Sequence, residues 1–363
     1  MSGGIFLKNI FHILVINPGS TSTKVSLFKN EISLFQETIF HSSKSISSFK
    51  YIIDQYEFRL EIILRLLKKQ KIDQYCIDAV VGRGGLLRPL ESGTYLVNKK
   101  MLIHLKEGKY GQHASNLGAV LADHIAKNIS VPAYIVDPVA VDEMDDIARI
   151  SGIPQLPRKS IFHALNQKAV ARKASKDLGK KYYQLNLIVV HMGGGISVGI
   201  HSKGRVIDVN NGLSGEGPFS PERSGTVPAG DLVELCFSGK YNKSQIMSLI
   251  TGKGGLVAYL NTNNVKDIME RVCQGDLNAK LIIEAMAYQI AKEIGQGATV
   301  LKGNVDAIIL TGGISHSNAF IELIKDRISF ISLVMVYPGE EEMLSLCQGA
   351  LRVLSGMEKG EIY

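Results

Sequence analysis

Three glycine-bearing turns, each closing an apolar run, are where this chain can bring backbone close to an anion. The first, Gly19-Ser-Thr-Ser-Thr-Lys24, offers small hydroxyl residues (Ser20 and Ser22 among them), backbone N–H groups and a cation, Lys24. It is not a P-loop, which needs a Gly directly before the Lys and a helix after it. Here Thr23 precedes Lys24, and the alternating Val25-Ser-Leu-Phe28 continues as a strand. A hairpin that wraps phosphate with hydroxyls and amides fits better, although ordinary Ser/Thr-rich turns use the same residues. The second turn, His191-Met-Gly-Gly-Gly195, sets Gly193, Gly194 and Gly195 between two strand patterns. Such a run weakens a sheet, so it points to a ligand approaching the backbone. The third, Thr311-Gly-Gly-Ile-Ser315, leads from a strand into a helical pattern, a place where adenine and ribose can lie against Gly312, Gly313 and Ile314.

Two arginines stand in suitable company. Arg83 closes the strand Ile77–Val81 within Gly82-Arg-Gly-Gly85, and Arg223 lies in the irregular loop Gly215–Gly225. A guanidinium there offers forked donors to carboxylate or phosphate, while a solvated surface arginine is the plain alternative. Asp137, at a strand end before Pro138, and His163, near a helix start, are caps or catalytic groups.

The elements that must hold these residues form two similar halves. Ile13–Phe40 contains three strands, with Lys29-Asn-Glu31 as a turn; Phe58–Lys69 and Gln112–Lys127 have helical spacing, and Ala133–Val136 is a strand. After a helix over Phe162–Asp177, Leu187–Val190, Ile196–Ile200 and Val206–Val209 repeat the three-strand meander. Helical patterns over Asp276–Val300 and Asn318–Asp326 flank the strand Asp306–Leu310, and Ile331–Val336 and Glu340–Leu354 are a final strand and helix. A boundary is expected in the proline-bearing Ile153–Pro157.

At 363 residues and 45% hydrophobic, the chain can bury two cores. No apolar run approaches the roughly 18 residues of a membrane span, and the Met1–Ile10 leader lacks the make-up of a signal peptide. The four cysteines form no C-x-x-C pair, which argues against a zinc knuckle and suits a reducing cytoplasm. The net charge of +7 is spread along the chain, fitting anionic small molecules better than nucleic acid.

Taken in order, Asn17-Pro-Gly-Ser-Thr-Ser-Thr-Lys24, Val81-Gly-Arg-Gly-Gly85, Gly111-Gln-His-Ala-Ser-Asn-Leu-Gly118, Asp137-Pro, Ile161-Phe-His163, His191-Met-Gly-Gly-Gly195, the Gly215–Gly225 loop and Leu310-Thr-Gly-Gly-Ile314 resemble the acetokinase family over almost the whole chain. That family lies within the sugar kinase, Hsp70 and actin superfamily. The resemblance implies an α/β protein of two duplicated ribonuclease H-like (actin-like ATPase) domains, each a mixed five-stranded sheet flanked by helices, with a cleft between them. The domains would span 1–150, completed by the C-terminal helix 345–363, and 151–344. It further implies reversible transfer of the ATP γ-phosphoryl group to a short-chain carboxylate, giving an acyl phosphate and ADP. Asn17 and Glu341 would bind Mg²⁺; Arg83 and Arg223 would hold the carboxylate and the phosphoryl in flight, with His163 donating to its oxygens. Asp137 would orient that cluster and His113 would line it. His191 and Gly193–Gly195 would cradle the phosphates, and Gly312, Gly313 and Ile314 the adenosine. A homodimer or larger homo-oligomer is implied as well.

The chain departs from the acetate-directed pattern in lacking bulk beside Arg83, where Gly84 and Gly85 follow, and in carrying Ser214 in the later loop. Room for butyrate or a branched short-chain acid is the expectation, with acetate or propionate as alternatives. The three consecutive residues Glu340, Glu341 and Glu342 leave the metal carboxylate to be chosen by offset from Pro338 alone. A hydroxyl-directed sugar kinase would need a base such as Asp137 and would make no use of paired arginines. A non-catalytic actin- or Hsp70-like switch would need neither Arg nor His163.

Overall fold

The computed structural model describes residues 10–363; residues 1–9, which make up most of the leader considered above, lie outside the described residues. The chain divides into two compact units, one running to Val141 and resuming at Glu341–Tyr363, the other spanning Asp142–Glu340. Strands β1 (His12–Pro18), β2 (Ser22–Lys29), β3 (Ile32–Phe40), β4 (Ala79–Arg83), β5 (Thr94–Leu96) and β6 (Ala133–Val136) belong to the first. The second holds β7 (Asn186–Met192), β8 (Ile196–Ser202), β9 (Arg205–Val209), β10 (Ala307–Gly312) and β11 (Val334–Pro338). The C-terminal β12 (Glu361–Ile362) returns to the first.

The first sheet runs β12-β5-β6-β4-β1-β2-β3. It contains the five expected strands and two more, because β5 and β12 have only three and two residues, too few for alternation to be visible in sequence. Leu14, Ile16, Val25, Leu27 and Val80 form one core with the helices Tyr56–Lys69 and Asn116–Asn128. Glycine permits the close approach that fixes β4: a Cβ on Gly82 would lie 2.1 Å from the Gly118 carbonyl oxygen, and one on Gly118 2.2 Å from that of Arg83. The backbone carrying Arg83 is thereby seated directly on the helix Asn116–Asn128.

The second sheet runs β11-β10-β7-β8-β9. β7 is buried at every position because it is central, parallel to β10 and antiparallel to β8. Its continuous apolar run follows from having both faces covered. One side packs against the helix Leu277–Val300 and its neighbours, the other against the helix Ala164–Asp177.

The division between units falls before Ile153–Pro157, at Val141/Asp142, and again at Glu340/Glu341. Hydrogen bonds made by the segment from Asp142 to Pro157 and by Arg158, just after it, tie it into the second unit. Lys168 Nζ donates to Glu143 Oε2 at 2.6 Å, Asp145 N to the Ile207 carbonyl at 2.9 Å, and Arg158 to Asp208 at 2.9 Å. The last helix is Glu342–Leu354, with Glu341 at its N-cap.

Candidate active site

In the first unit, Asn17 is the penultimate residue of β1 and faces Lys24 across the β1–β2 hairpin. Asn17 Nδ2 donates to Glu342 Oε2 at 2.8 Å, and Glu342 Oε1 accepts from the Arg83 guanidinium. Burial alone would raise the Glu342 pKa. The Arg83 charge and hydrogen bond, the Asn17 hydrogen bond and the Lys24 charge outweigh it and hold this carboxyl below its ordinary value. Glu341, expected at the metal, occupies the N-cap, where its carbonyl accepts from Ser345 N and Oγ, both at 2.8 Å. The carboxylate that reaches Asn17 is that of Glu342. Asn17 and Glu342 present hard oxygen donors, which suit Mg²⁺, an ion that keeps several waters and takes one or two protein carboxylates plus phosphate oxygens.

The hairpin turn is closed by Gly19 N donating to the Ser22 carbonyl at 2.8 Å, with Ser20 and Lys24 exposed and Ser22 half-buried. His113 Nδ1 accepts from Ser115 N at 3.2 Å and pairs with Ser115 Oγ at 2.8 Å. The proton then sits on Nε2, and burial followed by the Arg83 charge lowers the His113 pKa, making it a neutral donor. Asp137 is buried at φ 36°, in the left-handed region, and its Oδ1 accepts from Ser92 Oγ at 2.6 Å and Gly93 N at 2.8 Å. These bonds anchor the Ser92-Gly93 turn.

The space that side chains at Gly84 and Gly85 would take is already filled. A Cβ on Gly85 would lie 2.6 Å from Asn116 Cα, and one on Gly84 2.4 Å from Pro138 Cβ. These glycines serve backbone packing, and acyl-chain room is not created by their missing side chains.

In the second unit, the His163 and His191 rings stack with centroids 3.8 Å apart and planes 13° from parallel. His191 Nδ1 lies 2.8 Å from Asn166 Oδ1, and its Nε2 lies 3.1 Å from Glu340 Oε1. Ser197 Oγ accepts from Gln167 Nε2 at 2.9 Å and lies 2.9 Å from His163 Nδ1. A Ser197 hydrogen directed at Nδ1 would leave the His163 proton on Nε2, where it can donate. Gly195 has a function its phosphate-turn setting did not disclose. A Cβ there would lie 1.8 Å from an Arg223 terminal nitrogen, so the missing side chain makes room for that guanidinium, which also donates to the Gly212 carbonyl. Burial lowers the Arg223 pKa while the neighbouring Glu222 charge opposes it.

Gly193 and Gly194 line a cavity of about 1030 Å³ together with Gly313 and Ile314. The second and third glycine turns therefore open on one space. Gly312, at φ 93°, lies where a Cβ would meet the Met192 carbonyl oxygen at 2.3 Å, so β10 and β7 can sit this close only with glycine. Val265, Met269 and Cys273, on the helix Val265–Cys273, form a further wall that the sequence motifs did not mark.

Two proteins of Clostridium acetobutylicum, Butyrate kinase 1 and Butyrate kinase 2, are each 58% identical to this chain, over 98% and 97% of it and 100% and 99% of their own lengths. The Acetokinase family model matches residues 154–342. The chain belongs to the acetokinase family. Like the family, it is an ATP-using kinase directed at a carboxyl group. Among solved structures, Porphyromonas gingivalis acetate kinase superposes with a TM-score of 0.78 at 21% identity, covering 95% of this chain and all of its own. A propionate kinase from Francisella tularensis gives 0.73 at 19% identity, covering 93% of this chain and 98% of its own. At such identities these two establish the shared acetokinase fold, with its two actin-like domains.

Proposed function

We infer that this acetokinase-family enzyme is an ATP-dependent butyrate kinase, forming butyryl phosphate and ADP from butyrate and ATP, reversibly. The observation that carries this is the 58% identity to two butyrate kinases along essentially the full chain. A carboxylate is already ionised at pH 7, with a pKa near ~4, so it needs no general base. The task is to stabilise charge as an anion meets a polyanion. From the first unit, Arg83 is assigned to the acceptor carboxylate, with His113 as a neutral donor beside it. From the second, Arg223 and the Nε2–H of His163 are assigned to the transferring phosphoryl group. Gly193 and Gly194, with His191, receive the phosphates, and Gly312, Gly313 and Ile314 the adenosine.

Asn17 and Glu342 are the residues assigned to Mg²⁺, with Glu341 next along the chain as the rival. The bound ion would neutralise phosphate charge. Ser20, Ser22 and Lys24 complete the anion-facing hairpin, and Asp137, at the end of β6, holds the Ser92-Gly93 turn before β5 in place. Three cysteines with exposed side chains, Cys76, Cys236 and Cys273, suit a reducing cytoplasm, and a homodimer or larger assembly follows the family resemblance. Among the described residues no helix is long and apolar enough to cross a membrane. Trapping the product with hydroxylamine tests the function: butyryl hydroxamate must form from ATP and butyrate with release of ADP, and its absence would reject the proposal.

A further inference from the structure

Arg59 lies on the helix Tyr56–Lys69, has no exposed surface, and sits beneath the β1–β2 hairpin. All five of its N–H directions are used. Nε and one terminal nitrogen donate to Gln55 Oε1 at 3.1 and 2.8 Å. The other terminal nitrogen donates to the Ser22 carbonyl at 3.0 Å and Thr23 Oγ1 at 2.9 Å, and the terminal nitrogen bonded to Gln55 also donates to the Ser20 carbonyl at 3.3 Å. Every acceptor is neutral. Thr23 in turn bonds His41 Nε2 at 2.8 Å, and His41 is kept neutral by burial and by the Arg59 charge. Burial likewise pulls the Arg59 pKa down to about 10, with no carboxylate among the described residues opposing it.

A buried cation with saturated hydrogen bonds and no counter-charge is costly, and neutral acceptors do not cancel its field. The loop it grips is the turn that carries the exposed Ser20 and the half-buried Ser22. We propose that Arg59 is the positioning residue for phosphoryl binding at this hairpin: it fixes the Ser20–Thr23 backbone and supplies a positive charge from below that an arriving phosphoryl group balances. This rests on reading the hairpin as a phosphate side of a butyrate kinase. The ligand class is any substrate bearing the transferable phosphoryl group, ATP or butyryl phosphate, and not ADP.

The test compares wild type with Arg59→Met and Arg59→Lys in both reaction directions, with saturating Mg²⁺ and constant ionic strength. In Arg59→Met, the KM values for ATP and for butyryl phosphate rise by about tenfold or more, as expected for losing a charge-assisted interaction, while the KM for ADP stays within about twofold. Arg59→Lys, which keeps the charge, holds the ATP-to-ADP KM ratio within about threefold of wild type. A merely structural role would move ADP, ATP and butyryl phosphate together, and that result overturns the proposal. Should Arg59→Met fail to fold, the Lys variant decides, since loss of its ATP-to-ADP ratio is equally fatal. If wild type makes no butyryl phosphate, the proposed function itself fails; if it does and the ratios do not move, Arg59 alone is misassigned.

Discussion

The Arg83 guanidinium is paired with the Glu342 carboxylate inside the first unit, on the same carboxylate that accepts from Asn17. The arginine assigned to the acceptor thus already holds an anion supplied by the protein. Butyrate must share or displace it, and a cation at Asn17 that draws on Glu342 would ease that exchange. Glu342→Gln therefore tightens metal-free butyrate binding in calorimetry, by about threefold or more, while raising the Mg²⁺ concentration needed for half-maximal activity by about tenfold. Glu341→Gln changes neither by more than about twofold. The reverse pattern would return the metal to Glu341.

Gly195 and Arg223 make a separate prediction. Since a Cβ at residue 195 would lie 1.8 Å from the guanidinium, Gly195→Ala displaces Arg223. Activity should fall by about 100-fold or more, the scale of losing one positioned charge-stabilising donor. Circular dichroism and the thermal midpoint should change little, and Gly195→Ala combined with Arg223→Ala should be no worse than Arg223→Ala alone. Additive losses in the double variant would separate the two residues.

How far the sequence disclosed this site depends on the kind of signal. The β1–β2 and β7–β8 hairpins were legible because alternation flanks their glycine turns, and Arg83, His163 and Arg223 stood out by their setting. Arg59 was hidden, since a charged residue in a helical pattern normally faces water, and only the fold places it under the hairpin. Glycine marks close approach without saying of what: Gly85 meets Asn116, and Gly195 meets Arg223. The wall formed by Val265–Cys273 carries no motif, and its apolar periodicity announces a buried face, not a ligand.

Stability of the second unit should depend on the Lys168–Glu143 pair, 2.6 Å apart and buried, with Val206 N also donating to Glu143 Oε2 at 2.7 Å. Removing one partner strands the other charge. Glu143→Ala should cost about 3 kcal/mol or more by urea denaturation, whereas an exposed pair such as Arg65–Glu61 should contribute about 1 kcal/mol or less.

His201 gives a pH signature. It is fully buried, and burial, reinforced by the Lys168 and Arg172 charges, drives its pKa well below 6.5. The folded state keeps it neutral while the unfolded chain protonates it. Its stabilising contribution is present above pH 6.5 and is lost as pH falls from there toward the folded pKa, at a limiting slope of about 1.4 kcal/mol per pH unit. His41 and His113 are shifted the same way. Replacing His201 by Gln should flatten the stability–pH curve below pH 6.5 by up to one proton's slope. An unchanged curve would mean that this histidine is not kept neutral by the fold.

The central claim is best tested by kcat/KM for butyrate, isobutyrate, propionate and acetate at saturating ATP and Mg²⁺, with ADP release coupled to a reporter. The account predicts a four-carbon acid, linear or branched, ahead of acetate by about tenfold or more, the scale expected from added methylenes in an apolar pocket. A clear preference for acetate, or ADP release only with a hydroxyl acceptor, would contradict it.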